Sequence, residues 1–119
     1  MTVLGIDHVQ VAAPPGCEGA ARAFYGELLG LDEIDKPPEL AARGGCWFRA
    51  GAQELHVGVA EAFAPAERAH PGLVVDDLSA LRARLEAAGI AVSEDDRIPG
   101  VQRLHTVDPF GNRLEFRQA

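Results

Sequence analysis

One succession of element types runs through this chain twice, and it leaves few folds open. A strand, a helix and three strands fill about residues 4–60, and the same order returns over about 68–118, a repeat of about 60 residues. In the first half, residues 4–12 alternate and are rich in β-branched side chains, which predicts a strand. Ile6, His8 and Gln10 share one face of it; Val9 and Val11 share the other. Pro14-Pro15-Gly16 ends the strand. Residues 18–29 have helical spacing through Ala20, Phe24 and Leu28, with Gly30 as the terminator. A short strand at 31–35 and a loop from Pro37 precede two strands, Cys46–Ala50 and Gln53–Val59, joined by a hairpin turn. The stretch 60–68 reads as a linker. The second half then offers a strand His70–Val75 and a helix near 77–88, capped by Asp76 or Asp77 and ended by Gly89. Strands at 90–94, 101–107 and 112–118 follow, the last two around the turn Asp108-Pro109-Phe110-Gly111-Asn112. Few letters match between the halves. The landmarks do: His8 answers His70, Gly30 answers Gly89, and His56 answers Glu115. The order of elements predicts an α+β fold of two tandem βαβββ modules.

Size and charge narrow the function. With 119 residues, the chain suits one compact domain spanning 1–119. The net charge is −7, with a single lysine, Lys36, and dispersed arginines. Nucleic acid and anionic membrane surfaces are therefore unexpected partners, because both are held by clustered Lys and Arg. No apolar run approaches the ~20 residues of a membrane span, and the N-terminus lacks a signal-peptide pattern. A cytoplasmic location is the expectation. Cys17 and Cys46 fit no paired-cysteine zinc motif and are expected to be reduced and structural.

Four residues stand out chemically. His8, His56, His70 and Glu115 each read as mid-strand positions on the face opposite their apolar neighbours. Two imidazoles and a carboxylate on a rigid sheet suit a divalent transition metal. His56 as a fourth ligand would favour an octahedral site with open positions for water or substrate, as a catalytic metal needs. Spacing alone does not bring distant strands together, so four ordinary polar strand residues is the competing reading. His105 could line a pocket or face solvent. Arg103 could meet an anionic substrate or lie at the surface, and Trp47 could wall a pocket or pack.

Three stretches carry a resemblance over nearly the whole chain. They are Ile6-Asp7-His8-Val9, the helix Phe24-Tyr25-Gly26-Glu27-Leu28-Leu29-Gly30-Leu31, and Asp108-Pro109-Phe110-Gly111-Asn112-Arg113-Leu114-Glu115-Phe116. Together they resemble the vicinal oxygen chelate superfamily of glyoxalases, bleomycin-resistance proteins and extradiol dioxygenases. The resemblance implies a curled mixed sheet around a metal-binding cleft. It also implies ligands from the first and last strands of each module, hence His8, His56, His70 and Glu115. His56 stands where glyoxalase I usually carries glutamate. A divalent ion (Zn, Ni, Mn or Fe), a small-molecule substrate and a homodimer are implied as well. The leading expectation is a glyoxalase-like lyase or isomerase that chelates two substrate oxygens, with Glu115 or His56 as general base. The alternatives are an extradiol dioxygenase, with His105 as the spare acid/base, and a non-catalytic antibiotic-binding protein.

Overall fold

In the computed structural model, which describes residues 1–119, each half of the sequence forms its own four-stranded sheet. The chain divides into two compact units, residues 1–64 and 65–119. The first unit holds β1 (His8–Ala13), α1 (Glu18–Ala21), β2 (Glu33–Ile34), α2 (Pro38–Ala41), β3 (Cys46–Ala50) and β4 (Gln53–Val59). Its strand order is β1-β4-β3-β2, with β1 parallel to β4 and the other pairs antiparallel. The second unit holds β5 (Gly72–Val75), α3 (Leu78–Ala87), β6 (Ser93–Glu94), β7 (Arg103–Val107) and β8 (Arg113–Gln118). Its order, β5-β8-β7-β6, and its pairing directions repeat those of the first. The α+β architecture of two βαβββ modules is therefore present. The helix after the first strand of each unit makes the crossover that a parallel pair requires.

Alternation explains which side chains enter each core. In the first unit Val11, Ala13, Phe48, Leu55 and Val57 are buried together with Ala21, Phe24 and Tyr25 from the helix. In the second, Leu104, Leu114 and Phe116 are buried with Leu81 and Leu85 of α3. Asp77 caps α3, its Oδ1 accepting from the Ala80 amide at 2.9 Å. The Asp108–Asn112 turn is tied internally. Asp108 Oδ1 accepts from the amides of Phe110 and Asn112, each at 2.9 Å. No helix is long and apolar enough to cross a membrane.

Several boundaries differ from the sequence expectation. After Ala21 the first helix continues as a π-helix, Arg22–Leu28. Its wider turn moves the buried stripe to Ala21, Phe24 and Tyr25, leaving Ala20 exposed and Leu28 half-buried. The loop after Pro37 contains the short α2, with proline at its first position, where a missing N–H costs nothing. The strand expected at 90–94 is confined to Ser93–Glu94. His70 lies before β5, because Pro71 has no N–H to donate to the ladder. His8 is the first residue of β1 rather than a mid-strand one.

The thiols of Cys17 and Cys46 are free and buried. Burial pushes the Cys17 thiol up to about 11 and raises Cys46 as well. Both are expected to resist a disulfide reagent at pH 8 until urea unfolds the chain. The approach of Gly45 to β4 gives a second prediction. At φ +84°, a Cβ at Gly45 would lie 2.1 Å from the Val57 carbonyl oxygen, whereas one at Gly51, φ +62°, would meet nothing within 4 Å. Gly45→Ala is expected to cost roughly 2–4 kcal/mol and Gly51→Ala about 1 kcal/mol, read from urea unfolding curves.

Candidate functional site

Strand register shows which polar residues share a rung. In the first unit Gln10, His56 and Trp47 lie side by side on β1, β4 and β3. In the second, Gly72, Glu115 and His105 occupy the same rung on β5, β8 and β7. His56 thus corresponds to Glu115, Trp47 to His105, and His8, two residues before Gln10, to His70.

The first unit brings His8, His56 and Trp47 together as a stack of three rings. The His8 and His56 centroids are 4.3 Å apart at 15°, and those of Trp47 and His56 are 4.0 Å apart at 5°. His56 is buried despite lying on the polar face. Its Nε2 donates to Glu54 Oε1 at 2.9 Å, which assigns the lone pair to Nδ1. His8 Nδ1 meets the Asp7 carboxylate at 2.8 Å.

The second unit brings His70, Glu115, Arg103 and His105 together. Glu115 is buried and accepts from Arg117 Nε at 2.6 Å and from Arg103 Nη1 at 3.2 Å. The hydrogen bond from Arg117 is the main reason that its carboxyl is held below the usual glutamate range; His70 and Arg103 add to it, and burial opposes it. His70 Nδ1 donates to the Arg68 carbonyl at 2.7 Å, and its Nε2 faces Glu115 Oε1 at 3.3 Å. A carbonyl can only accept, so Nδ1 carries a proton; in the neutral ring Nε2 then holds the lone pair. Nε2 lies beside a carboxylate oxygen that Arg103 Nη1 also reaches. A second proton on His70 makes this contact an ion pair, and a cation bound to the neutral ring satisfies the same two groups. Ligand-capable atoms of His70, His105 and Glu115 lie within 4.8 Å of one another, a donor set of the type that divalent transition metals accept. The residues of this unit therefore fit a metal.

Four participants lie outside the sequence expectation: Asp95, Glu54, Arg97 and Arg117. Asp95, just past β6, is buried and is contacted by Arg97, by Arg103 Nη2 at 2.9 Å and by His105 Nε2 at 3.1 Å. Glu54, the partner of His56, was read only as a strand residue. The signal for Asp95 lies in how the chain past β6 meets β7, which a single sequence does not display, whereas Glu54 shares the face of His56 by alternation on one strand. Arg97 is the first cause holding the Asp95 carboxyl far below its ordinary value. A depressed folded-state pKa gives stability that is present above the unfolded value, about 4, and is lost as the pH falls below it. Asp95→Asn is therefore expected to flatten the fall in stability between about pH 5 and pH 2, measured by urea unfolding across pH. An unchanged acid limb would remove Asp95 from this role.

The sequence profile of the Glyoxalase/Bleomycin resistance protein/Dioxygenase superfamily matches residues 5–116. Solved structures agree. One, assigned to the glyoxalase family, comes from Bacillus anthracis; it is 53% identical, superposes with a TM-score of 0.96, and the match covers 99% of this chain and 97% of that one. A lactoylglutathione lyase from Agrobacterium tumefaciens is 25% identical at a TM-score of 0.75, covering 100% and 96%. An antibiotic binding protein from a Streptomyces species is 23% identical at 0.77, covering 99% and 98%, a likeness of fold. No curated protein matches the chain closely in sequence.

Proposed function

Since this chain belongs to the glyoxalase/bleomycin resistance protein/dioxygenase superfamily, we propose that it is a metal-dependent enzyme of glyoxalase type, a lyase or isomerase for a small substrate bearing two adjacent oxygens. The observation that carries this reading is the approach of His70 Nε2 to the buried Glu115 carboxylate, with ligand-capable atoms of His70, His105 and Glu115 within 4.8 Å of one another. His70 and Glu115 are the proposed ligands, both in the second unit. Bound there, a divalent ion would supply Lewis acidity to the substrate oxygens.

The protein's own residues divide the remaining work. Arg117 and Arg103 keep Glu115 ionised, which suits an anionic ligand and makes it a weak proton acceptor at neutral pH. His56 suits general base chemistry better. Glu54 fixes its tautomer and orientation, as a carboxylate orients a catalytic imidazole, and leaves Nδ1 to take a proton. In wild-type protein purified without chelator, elemental mass spectrometry is expected to find about one equivalent of a first-row transition metal per chain, as a single ligand set requires. The His70→Ala/Glu115→Ala double variant should lose it. His56→Gln should keep the metal and lower turnover of an α-hydroxycarbonyl or α-ketoaldehyde substrate by roughly 10²-fold or more. Turnover unchanged in that variant would transfer the base role elsewhere.

A second reading is sequestration of a flat organic ligand. The stack of His8, His56 and Trp47 favours it, since a planar molecule can extend such a stack. Trp47 is the only tryptophan, so its fluorescence reports directly on the stack. Quenching by planar antibiotics in protein that takes up no metal would favour this reading over the enzymatic one.

A further inference from the structure

We propose that His105 is a metal ligand and Asp95 its positioning residue, so that His70, His105 and Glu115 form a three-donor centre inside the second unit. The inference rests on the metal dependence proposed above and goes beyond it in residue and location, since β7 contributes none of the ligands that the resemblance implies.

Four observations support it. First, His105 lies directly opposite Glu115 in the β7–β8 pairing, so both side chains leave the same face of the sheet, where opposed Cβ atoms are about 5 Å apart. Second, both histidines have their outer nitrogen committed to a group that can only accept. His70 Nδ1 donates to the Arg68 carbonyl, and His105 Nε2 donates to the Asp95 carboxylate. Metal-ligating histidines are prepared in this way, by a hydrogen bond that fixes the tautomer and presents the other nitrogen. Third, His105 Nδ1 is buried and has no partner. A buried acceptor left unsatisfied costs about 1–3 kcal/mol, and coordination would remove that cost. Fourth, the His70 and His105 rings are steeply inclined, at 74° with centroids 5.8 Å apart. Their in-plane lone pairs can converge. The rings of His8 and His56 are instead stacked nearly parallel.

The surroundings supply rigidity and access. Arg103, a largely buried side chain, spans from Asp95 to Glu115 and so links the positioning carboxylate to the ligand carboxylate. Arg97 closes on Asp95 from its other side. A groove of about 620 Å³, lined in part by Asp95, Arg97, His105 and Arg113, borders His105 and provides an approach. Two imidazoles and one carboxylate leave positions open for small molecules. The first unit has Trp47 where the second has His105, so the repeat carries this donor once.

The test is a cobalt(II) titration of chelator-treated full-length protein, followed by visible absorption. Wild type should bind one equivalent. His105→Ala should weaken binding more than tenfold and change the d–d bands. Asp95→Asn should weaken it by roughly 10–100-fold, the usual effect of losing a carboxylate behind a ligating histidine. The His8→Ala/His56→Ala double variant should bind as wild type does. Wild-type affinity and bands in His105→Ala would overturn the proposal; if His70→Ala/Glu115→Ala still lost the metal, the reading in the previous subsection would survive. No cobalt uptake by wild type would end both. A measurement without substitution guards against misfolded variants. In long-range ¹H–¹⁵N spectra of wild type, zinc should shift His105 Nδ1 while Nε2 stays protonated. An unmoved Nδ1 resonance would refute His105 as a ligand.

Discussion

Arg103 stands between two buried carboxylates, and the polar face of the second unit depends on that position. One guanidinium nitrogen meets Asp95 at 2.9 Å and another meets Glu115 at 3.2 Å. Each carboxylate also has a second arginine, Arg97 at Asp95 and Arg117 at Glu115, because desolvating a charge costs several kcal/mol unless it is paired and hydrogen-bonded. A planar, forked cation meets two acids at once, which a lysine ammonium on its flexible stem would do poorly. Asp95 then directs His105, and Glu115 faces His70. The functional groups are thus held by charge pairing, while the opposite face of the same strands is held by Leu104, Leu114 and Phe116.

The two units show how one scaffold supports two kinds of site. Strand order, pairing directions and the helix after the first strand are common to both. Their central rungs differ. Around the rung of the first unit, His8, His56 and Trp47 produce a stack of flat rings, whereas Glu115 and His105 in the second join a network of ions and imidazoles. The core residues under each rung are interchangeable aliphatics and aromatics, so the fold tolerates this divergence. Packing requires volume and apolarity on one face and leaves the chemistry of the other face free.

The strands β3 and β4, the helix α3 with its Asp77 cap, and the Asp108–Asn112 turn were all legible beforehand. Each rests on local rules: alternation, capping and side-chain-to-amide bonding within a few residues. The equivalence of His56 with Glu115 was legible too, because both follow the same alternation before the end of a unit. The π-helical stretch was not. Its signal is a choice between hydrogen-bond partners one residue apart, which residue spacing barely registers. Alternation alone would begin a strand at His70, but Pro71 has no N–H for the ladder and the strand starts at Gly72.

By itself, the sequence determined the repeat, the α+β class, the superfamily and the polar residues available for chemistry. These follow from local propensity, periodicity and motif. The tertiary structure decided which of those residues act on each other. It set His56 against Glu54, His105 against Asp95, and Glu115 beneath two arginines. Such contacts join residues two apart on one strand, on neighbouring strands or beyond a strand's end, at separations from two to forty-five positions. Those between strands depend on register, and register comes from packing a whole face at once, so no stretch of sequence read alone contains it.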